Sequence, residues 1–215
     1  MAKKHVTAVI PAYNEEKTVG RVIEVLQKSE ILDEILVIND GSTDRTVDVV
    51  KQYKVKLINF NENKGKSGAV KEACSNLKTD IIFFCDADLV NFKPEYADEI
   101  ILPVIEGKYV MSISLRNYNP ITNLIMRLFH HLSGERAISY SVLKENFKSP
   151  YFYDYGMEAV MNHHCKINKL RVLLKQQDYN HLSKLKFGVN GVISYLKEMA
   201  HVAHIWFLLQ FDFLK

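Results

Sequence analysis

Residues 81–89 constrain the fold of this 215-residue chain more than any other stretch. They read Ile-Ile-Phe-Phe-Cys-Asp-Ala-Asp-Leu, and the apolar run without polar alternation predicts a strand buried on both faces of a mostly parallel sheet. Asp86 and Asp88 follow this strand, and ligands of open α/β sheets bind beyond the carboxyl ends of strands. Carboxylates at i and i+2 can both face one hard divalent cation and, through it, a diphosphate. The alternative for Asp-x-Asp alone is a surface turn.

The first 90 residues alternate between short apolar runs and segments with helical spacing. Apolar runs at residues 6–10, 35–38, 55–60 and 81–85 predict four strands, with helices between them. This alternation predicts parallel β-α-β units with right-handed crossovers, and therefore an α/β fold with a mostly parallel central sheet. The sequence has no Gly-x-Gly-x-x-Gly after the first run and no Walker loop, which argues against ordinary dinucleotide and P-loop sites.

The pattern is less regular beyond Asp88. Helices are predicted at residues 94–106 and 122–132, further helical stretches are predicted to begin at Gly134 and Tyr155, and strands are predicted at residues 109–114 and 170–174. No internal repeat, low-complexity tract or linker divides the sequence. One domain comprising residues 1–215 is therefore expected.

Composition and charge exclude several classes of protein. A hydrophobic share of 47% and a charged share of 25% are typical of a globular protein, and a net charge of +3 is too small to predict a nucleic-acid partner. The three cysteines lack Cys-x-x-Cys spacing, which favours reduced core thiols. The sequence shows no leader pattern and no apolar run of the roughly 18 to 20 residues that a membrane span needs. A cytoplasmic location is expected.

Four loops that follow the predicted strands carry matching polar chemistry. They read Ile-Pro-Ala-Tyr-Asn-Glu-Glu at residues 10–16, Asn-Asp-Gly-Ser-Thr-Asp-Arg-Thr at 39–46, Asn-Lys-Gly-Lys-Ser-Gly-Ala at 63–69 and Asp-Ala-Asp at 86–88. In this order they resemble the nucleotide-sugar domain of family 2 glycosyltransferases, which have the GT-A fold, a Rossmann-like three-layer α/β/α sandwich. The resemblance implies a metal-dependent hexosyltransferase that uses a UDP- or GDP-sugar and an unknown acceptor.

The second half resembles a narrower group, the glucosyl-3-phosphoglycerate synthases and their relatives. The matching segments are Ser-Gly-Glu-Arg-Ala at 133–137, Tyr-Gly-Met-Glu at 155–158 and the region of His181. This resemblance implies a nucleotide-sugar-binding half at residues 1–90, an acceptor half at 91–185 and a helical tail at 186–215. It also implies retention of the anomeric configuration, whereas many other family 2 enzymes invert it. Pro120 and Ser183 stand where that group has arginine and asparagine, so the resemblance does not identify the acceptor.

A metal centre is implied by the same resemblance. Asp88 and Asp86 would bind a divalent cation together with His181, and this mixed carboxylate and imidazole set suits Mn²⁺ or Mg²⁺. Such a Lewis acid neutralises the diphosphate while the glycosidic bond breaks. Asp86 could contact the ribose instead, and a lone histidine such as His181 is more often a surface or packing residue.

The donor site is implied by the first three loops and the Asp-Ala-Asp segment. Asp40 would accept a hydrogen bond from the base edge, and Lys66 would approach phosphate from a glycine-flanked loop. Three alternatives remain open, namely a first-turn helix charge for Glu15, a simple cap for Asp40 and a solvated loop lysine for Lys66. The implied donor-binding residues are Pro11, Ala12, Tyr13, Asn14, Glu15, Asp40, Gly41, Lys66, Asp86 and Ala87.

The implied catalytic residues are Asp88, Glu135 and Glu158. Both glutamates would lie on the acceptor side, where an acid can bind sugar hydroxyls or stabilise positive charge at the anomeric carbon. An inverting reaction would instead need a carboxylate as general base, for which Glu135, Asp154 and Glu158 are all candidates. The implied acceptor-binding residues are Thr122, Gly134 and Tyr155.

Residues 189–213 are rich in apolar side chains. They favour a C-terminal helix that packs on the domain or on a second subunit of a homodimer. The alternative is an amphipathic helix with Trp206 at a membrane interface. Such peripheral membrane contact would suit an inverting transfer to a polyprenyl phosphate or another lipid.

Two further function classes stay open at this level. A nucleotidyltransferase also combines an α/β nucleotide domain with metal-binding acids, but it normally carries an early glycine-rich basic loop, which residues 11–16 do not form. A non-catalytic nucleotide-sugar-binding module would keep Tyr13, Asp40 and Asp88 yet lack a working acceptor side. Sugar transfer or slow hydrolysis of the donor would distinguish the enzyme from such a module.

Overall fold

The computed structural model of the protein describes residues 3–117, 133–181 and 200–210. The strands are β1 (Val6–Ala12), β2 (Glu34–Asp40), β3 (Lys56–Phe60), β4 (Ile81–Phe84), β5 (Leu89–Val90), β6 (Met111–Arg116), β7 (Arg136–Ser139), β8 (Val172–Gln177) and β9 (Asn180–His181). The helices are α1 (Val19–Leu26), α2 (Thr46–Val50), α3 (Lys66–Cys74), α4 (Pro94–Ile105), α5 (Tyr140–Asn146), α6 (Met157–Ile167) and α7 (200–210).

Seven of these strands form one sheet in the order β3-β2-β1-β4-β7-β6-β8. The pairs β1–β2, β1–β4, β2–β3 and β6–β8 are parallel, and β7 runs antiparallel to both of its neighbours. The predicted α/β fold with a mostly parallel sheet is therefore confirmed. Strand order reverses between β1 and β4, because β2 and β3 lie on one side of β1 and β4 lies on the other. Such a switch point opens a crevice at the carboxyl ends of the strands.

Strand β4 is buried on both faces, as its apolar sequence predicts. Ile82 and Phe84 belong to one hydrophobic core layer, whereas Ile81 and Phe83 belong to the layer on the opposite side of the sheet, and all four are at most 1% exposed. Each such side chain contributes roughly 1.5–3 kcal/mol by burial. The strand that precedes Asp86 is thus fixed by packing from both sides.

The prediction of a helix that begins at Gly134 is wrong, because Arg136–Ser139 form strand β7 before helix α5 begins at Tyr140. Ala137 and Ile138 are both fully buried, and they belong to opposite core layers, which a strand in the middle of a sheet requires. Strand β1 continues through Pro11 to Ala12 instead of ending before the proline. The helix predicted at residues 122–132 lies outside the described residues.

Helix α7 packs on the domain along one side. Val202, Ile205 and Leu209 are at most 7% exposed and belong to the same core layer as Ile82, whereas Trp206 and Phe207 are 43% and 56% exposed. Within the described ranges no helix combines the length and apolar character needed to cross a bilayer. The packing interpretation of the tail thus fits α7, while its predicted role at a membrane or in a homodimer stays a prediction.

A buried serine joins the first turn of α3 to the first turn of α6. The main-chain nitrogen and Oγ of Ser67 both donate to the carbonyl of Asp154, at 2.9 and 2.7 Å, and Ser67 Oγ accepts from the nitrogen of Met157 at 3.1 Å. Ser67 is fully buried. Because α6 has no cap from its own flanking side chains, Ser67 satisfies a helix-terminal donor from a distant part of the chain.

We expect the Ser67→Ala variant to lose roughly 1–3 kcal/mol of unfolding free energy, because the N–H of buried Met157 loses its acceptor and the carbonyl of Asp154 loses one of its two donors. Urea unfolding followed by circular dichroism measures this loss. Ser141→Ala, at an exposed position of α5, is the matched control and should change stability by less than about 0.5 kcal/mol. Equal stability of the two variants would contradict the role given to Ser67.

Candidate functional site

The polar loops predicted to form a site lie at one edge of the sheet. The loops after β1 and β2, the start of α3 and the Asp-Ala-Asp segment after β4 all follow the carboxyl ends of parallel strands. The short antiparallel pair β5–β9 adds a second constraint, because it aligns Leu89 with His181. This pair brings a histidine about 90 residues away in sequence to the carboxylates beside Leu89.

Asp86, Asp88 and His181 converge on one point. His181 Nδ1 lies 2.9 Å from Asp88 Oδ1 and 3.9 Å from Asp86 Oδ2. Each residue can offer one ligand atom, and the three atoms lie within 4.8 Å of one another. Two carboxylate oxygens and an imidazole nitrogen are ligands that suit Mn²⁺ or Mg²⁺. The donor set therefore fits a divalent cation, and among the described residues it is the group that has this geometry.

Lys66 links the metal-ligand candidates to the start of α6. Its Nζ lies 2.9 Å from Asp86 Oδ1 and 2.9 Å from Glu158 Oε1, and its side chain is 21% exposed. Asp86 thus presents one oxygen to Lys66 and directs the other toward His181. Lys66 is therefore a partly buried ammonium next to the carboxylates, and the alternative of a solvated loop lysine does not describe it.

The ionisation of this cluster follows from burial and mutual charge. Burial opposes the charged form of Lys66, but the carboxylates of Asp86 and Glu158 outweigh it and hold its pKa well above the usual value. Burial likewise opposes ionisation of Asp86, yet Lys66 and His181 hold its pKa well below the usual value. For His181, burial is outweighed by the charge of Glu135 and by the hydrogen bond with Asp88, which raise its pKa to about 10. The site thus contains more carboxylates than positively charged groups, and this favours the binding of additional positive charge.

The loops after β1 and β2 are held together by side-chain hydrogen bonds. The nitrogen of Asn14 donates to Ser42 Oγ at 2.9 Å, and Asn14 Oδ1 accepts from the nitrogen of Thr43 at 2.8 Å. Asn14 has a φ of 57°, which an asparagine tolerates better than most residues. The nitrogen of Glu15 donates to Thr46 Oγ1 at 2.8 Å. Tyr13 immediately precedes these anchored residues and is 48% exposed.

Asp40 is 4% exposed, and its Oδ1 accepts a hydrogen bond from the nitrogen of Lys64 at 2.7 Å. It therefore connects the end of β2 to the loop that carries Lys66. Gly41, with a φ of +73°, lies so close to this loop that an added Cβ would be 2.7 Å from the nitrogen of Asn63. The remaining donor candidates, Pro11, Ala12 and Ala87, line the ends of β1 and β4. Base recognition by Asp40 stays a prediction.

The acceptor-side candidates differ in exposure. Glu135 is 1% exposed and Glu158 is 6% exposed, whereas the side chain of Asp154 is 56% exposed. Tyr155 is partly buried against the core layer that contains Ile82, and Thr122 lies outside the described residues. The catalytic roles of the two glutamates stay predictions.

Gly134 contacts the metal-ligand candidate Asp86. A Cβ added at Gly134 would lie 2.6 and 2.8 Å from the two oxygens of the Asp86 carboxylate. Its φ lies outside the left-handed region, so the close approach, and not backbone conformation, explains the glycine. The sequence motif containing Gly134 gave no indication of this contact.

Three further residues lie at the site but are not among the predicted site residues. Ser67 fixes the loop that carries Lys66, and Tyr179 donates from its hydroxyl to Glu135 Oε2 at 2.9 Å. Arg136 is fully buried and donates to Asn162 Oδ1 at 3.2 Å and to the carbonyl of Ser133. Each lies within a motif quoted above or next to one, but their roles depend on partners distant in sequence.

We expect Gly134→Ala to weaken Mn²⁺ binding at the site, because the new methyl group must displace the Asp86 carboxylate. Titration of Mn²⁺ into the protein, followed by electron paramagnetic resonance of the free ion, measures the change. Gly107→Ala is the control, since that glycine has a φ of +71° but open space around it. This control should lose about 1 kcal/mol of stability without a change in Mn²⁺ affinity. Unchanged Mn²⁺ binding by Gly134→Ala would contradict the contact.

Solved structures of glucosyl-3-phosphoglycerate synthase from Mycobacterium tuberculosis have a similar fold. A complex with Mn²⁺, UDP and glucosyl-3-phosphoglycerate matches with a TM-score of 0.70 and 23% identity, over 84% of this chain and 72% of that chain. A complex with Mn²⁺, UDP-glucose and phosphoglyceric acid matches with a TM-score of 0.74 and 21% identity, over 95% of this chain and 80% of that chain. These matches confirm the GT-A architecture.

Curated proteins with similar sequences include several glycosyltransferases. Glucosyl-3-phosphoglycerate synthase from Petrotoga mobilis is 27% identical over 191 residues, which cover 71% of this chain and 58% of that protein. A dolichyl-phosphate β-glucosyltransferase from Trichomonas vaginalis is 36% identical over 98 residues, or 39% of this chain and 30% of that protein. The chain thus spans less than two thirds of the length of these relatives.

The sequence model of a protein family provides the broadest match. The model described as "Glycosyl transferase family 2" matches residues 7–174, which include strand β1 apart from its first residue, strands β2 to β7 and the cluster of Lys66, Asp86, Asp88 and Glu158. The chain therefore belongs to glycosyl transferase family 2.

Proposed function

We propose that this protein transfers a sugar from a nucleoside-diphosphate sugar to an acceptor with the help of a bound divalent cation. The observation that supports this function most directly is the convergence of Asp86, Asp88 and His181 beside Lys66, at the switch point of the sheet. Membership of glycosyl transferase family 2 agrees with this chemistry. A nucleotidyltransferase is not favoured by any feature of the site.

Departure of the nucleoside diphosphate is the step that the cluster would assist. Asp86, Asp88 and His181 would hold the cation, which when bound supplies Lewis-acid stabilisation of the diphosphate. Lys66 would add a second positive charge next to the leaving group, because its ammonium already lies within 2.9 Å of Asp86. Asp86 and Glu158 would hold this ammonium in position and keep it protonated.

UDP is the nucleotide that we propose first for the donor. Support comes from the related structures, which contain UDP or UDP-glucose with Mn²⁺, or UDP with Mg²⁺. The exposed ring of Tyr13 would stack on the base, and the linked loops after β1 and β2 would hold this ring at the crevice. GDP remains the competing nucleotide.

The acceptor would bind next to Glu158, in the first turn of α6. Glu135 and Glu158 are buried and already contact Tyr179 and Lys66, so neither is a readily available general base. This arrangement supports the retaining course implied by the resemblance, whereas an inverting reaction would rely on Asp154. Phosphoglycerate is the acceptor named for the related structures, and dolichyl phosphate is the one named for another relative.

We expect nucleotide binding to depend on Mn²⁺ and this dependence to be lost in Asp88→Asn. Calorimetric titrations of UDP and GDP, and then of UDP-glucose and GDP-mannose, with and without Mn²⁺ measure it. Loss of an outer-shell partner typically lowers metal affinity roughly 10- to 100-fold. Loss of a metal ligand itself should lower the metal affinity by at least as much. Asp48→Asn, on the exposed side of α2, is the control and should bind like the wild type.

The same titrations contain the outcome that would refute the proposal. If the folded wild-type protein binds none of these nucleotides in the presence of Mn²⁺, the Asp-Ala-Asp segment is not a donor site. Binding without detectable transfer or donor hydrolysis would instead favour the non-catalytic module.

We expect Lys66→Met to weaken UDP binding even at saturating Mn²⁺, because the charge next to the diphosphate is lost while the cation is retained. The variant should also be less stable by roughly 1–3 kcal/mol, since Asp86 and Glu158 lose a partly buried partner. Lys148→Met removes an exposed ion pair with Glu145 and serves as the control for both measurements. UDP affinity equal to that of the wild type would show that Lys66 has a structural role alone.

A further inference from the structure

Glu135 is a buried carboxylate for which the proposed transfer step provides no role. It lies just before β7, is 1% exposed, and its Oε1 atom is buried without a hydrogen bond among the described residues. A buried charge without partners is costly, so its surroundings must compensate for it. Tyr179 does so at one oxygen, where its hydroxyl donates to Oε2 at 2.9 Å.

The other oxygen of Glu135 faces His181. Oε1 lies 3.5 Å from His181 Nε2, while His181 Nδ1 lies 2.9 Å from Asp88 on the other side of the ring. The imidazole thus has Asp88 at one ring nitrogen and Glu135 at the other. Histidines that bind metals nearly always donate their second ring N–H to such a partner, which fixes the tautomer and the orientation of the ring.

We propose that Glu135 is a positioning residue for the metal centre, which accepts the Nε2–H of His181 and thereby directs Nδ1 toward the cation held by Asp86 and Asp88. This inference rests on the proposed metal-dependent function. It differs from the acceptor-side role that the family resemblance implies for Glu135. The side chain is 1% exposed and contacts Tyr179 and His181.

Tyr179 completes the support for His181. Its ring packs edge-on against Phe92 at 5.4 Å and lies 6.4 Å from the ring of Tyr96, so the hydroxyl is held rigidly. Burial and the adjacent Glu135 charge raise the pKa of Tyr179 well above its usual value, which keeps the phenol a donor. Tyr179 also lies two residues before His181, so the same short segment provides the ligand and the group that anchors its partner.

The test uses the full chain and the nucleoside diphosphate, UDP or GDP, that the wild type binds more tightly. This nucleotide is titrated at a series of fixed Mn²⁺ concentrations. The measured quantity is the Mn²⁺ concentration at which nucleotide affinity has reached half of its total Mn²⁺-dependent increase. Glu135→Ala should raise this concentration about 10- to 100-fold. Glu135→Gln should raise it less, because the amide oxygen can still accept from Nε2–H. Tyr179→Phe should raise it by roughly threefold to tenfold, as expected for one lost hydrogen bond.

Saturating Mn²⁺ distinguishes positioning of the metal ligand from contact with the substrate. Under that condition Glu135→Gln should bind nucleotide as tightly as the wild type, because only the affinity for the cation is reduced. Tyr140→Phe is the matched control, since it removes another buried tyrosine hydroxyl, one that donates to the carbonyl of Cys74 at 2.7 Å. This control should leave the Mn²⁺ dependence unchanged.

Nitrogen-15 NMR of labelled histidines provides a readout that is independent of affinity. In the protein saturated with Mg²⁺ and nucleotide, His181 should carry a proton on Nε2 and none on Nδ1, with the resonances assigned from a His181→Asn variant. A proton on Nδ1 of the bound state would overturn the proposal.

The possible failures separate the two proposals. If the wild type shows Mn²⁺-dependent binding and folded Glu135→Ala shows the same Mn²⁺ dependence, this inference fails while the proposed function stands. If the wild type shows no Mn²⁺-dependent binding, both fail. If Glu135→Ala does not fold, Glu135→Gln and Tyr179→Phe decide, and wild-type Mn²⁺ dependence in both would overturn the role of Glu135.

Discussion

The ion cluster around Lys66 is the interaction on which the site depends. Carboxylates at the edge of a packed sheet repel one another strongly when they are shielded from water, so they converge only where positive charge compensates for them. Lys66 provides that charge between Asp86 and Glu158, at 2.9 Å from each. Because Asp86 follows β4 and Glu158 lies in the first turn of α6, one ammonium joins the end of the central strand to the start of a helix about 70 residues further along the chain.

The framework of the protein gives this cluster a fixed geometry. Strand β4 is packed on both faces, Ser67 holds the first turn of α3 against the start of α6, and the pair β5–β9 aligns His181 with the residue after Asp88. Side chains on such short, anchored segments would lose little conformational freedom when a cation binds. The site is therefore preorganised for binding. The family model ends at residue 174, so His181 is contributed by a segment that the family match does not include.

Sequence patterns predicted the parts of the molecule that depend on local periodicity. The buried strand before Asp86, the alternating β-α units and the start of α6 follow from the order of apolar and polar residues, and the structure has them. The helix expected from Gly134 was wrong because Ala137 and Ile138 pack on opposite faces of the sheet. A four-residue strand between distant neighbours is specified by those neighbours, and its own sequence is too short to show a period.

The sequence by itself determined the α/β class, the position of Asp86 and Asp88 at a strand end and, through the order of its loops, the resemblance to a nucleotide-sugar domain. Tertiary structure alone decided that Lys66 lies between two carboxylates, that Gly134 contacts Asp86 and that Glu135 faces His181. The physical reason is the range of the interactions. Periodicity reports which side of a segment is buried, whereas hydrogen bonds and ion pairs between residues 20 to 90 positions apart arise only when the sheet brings those segments together.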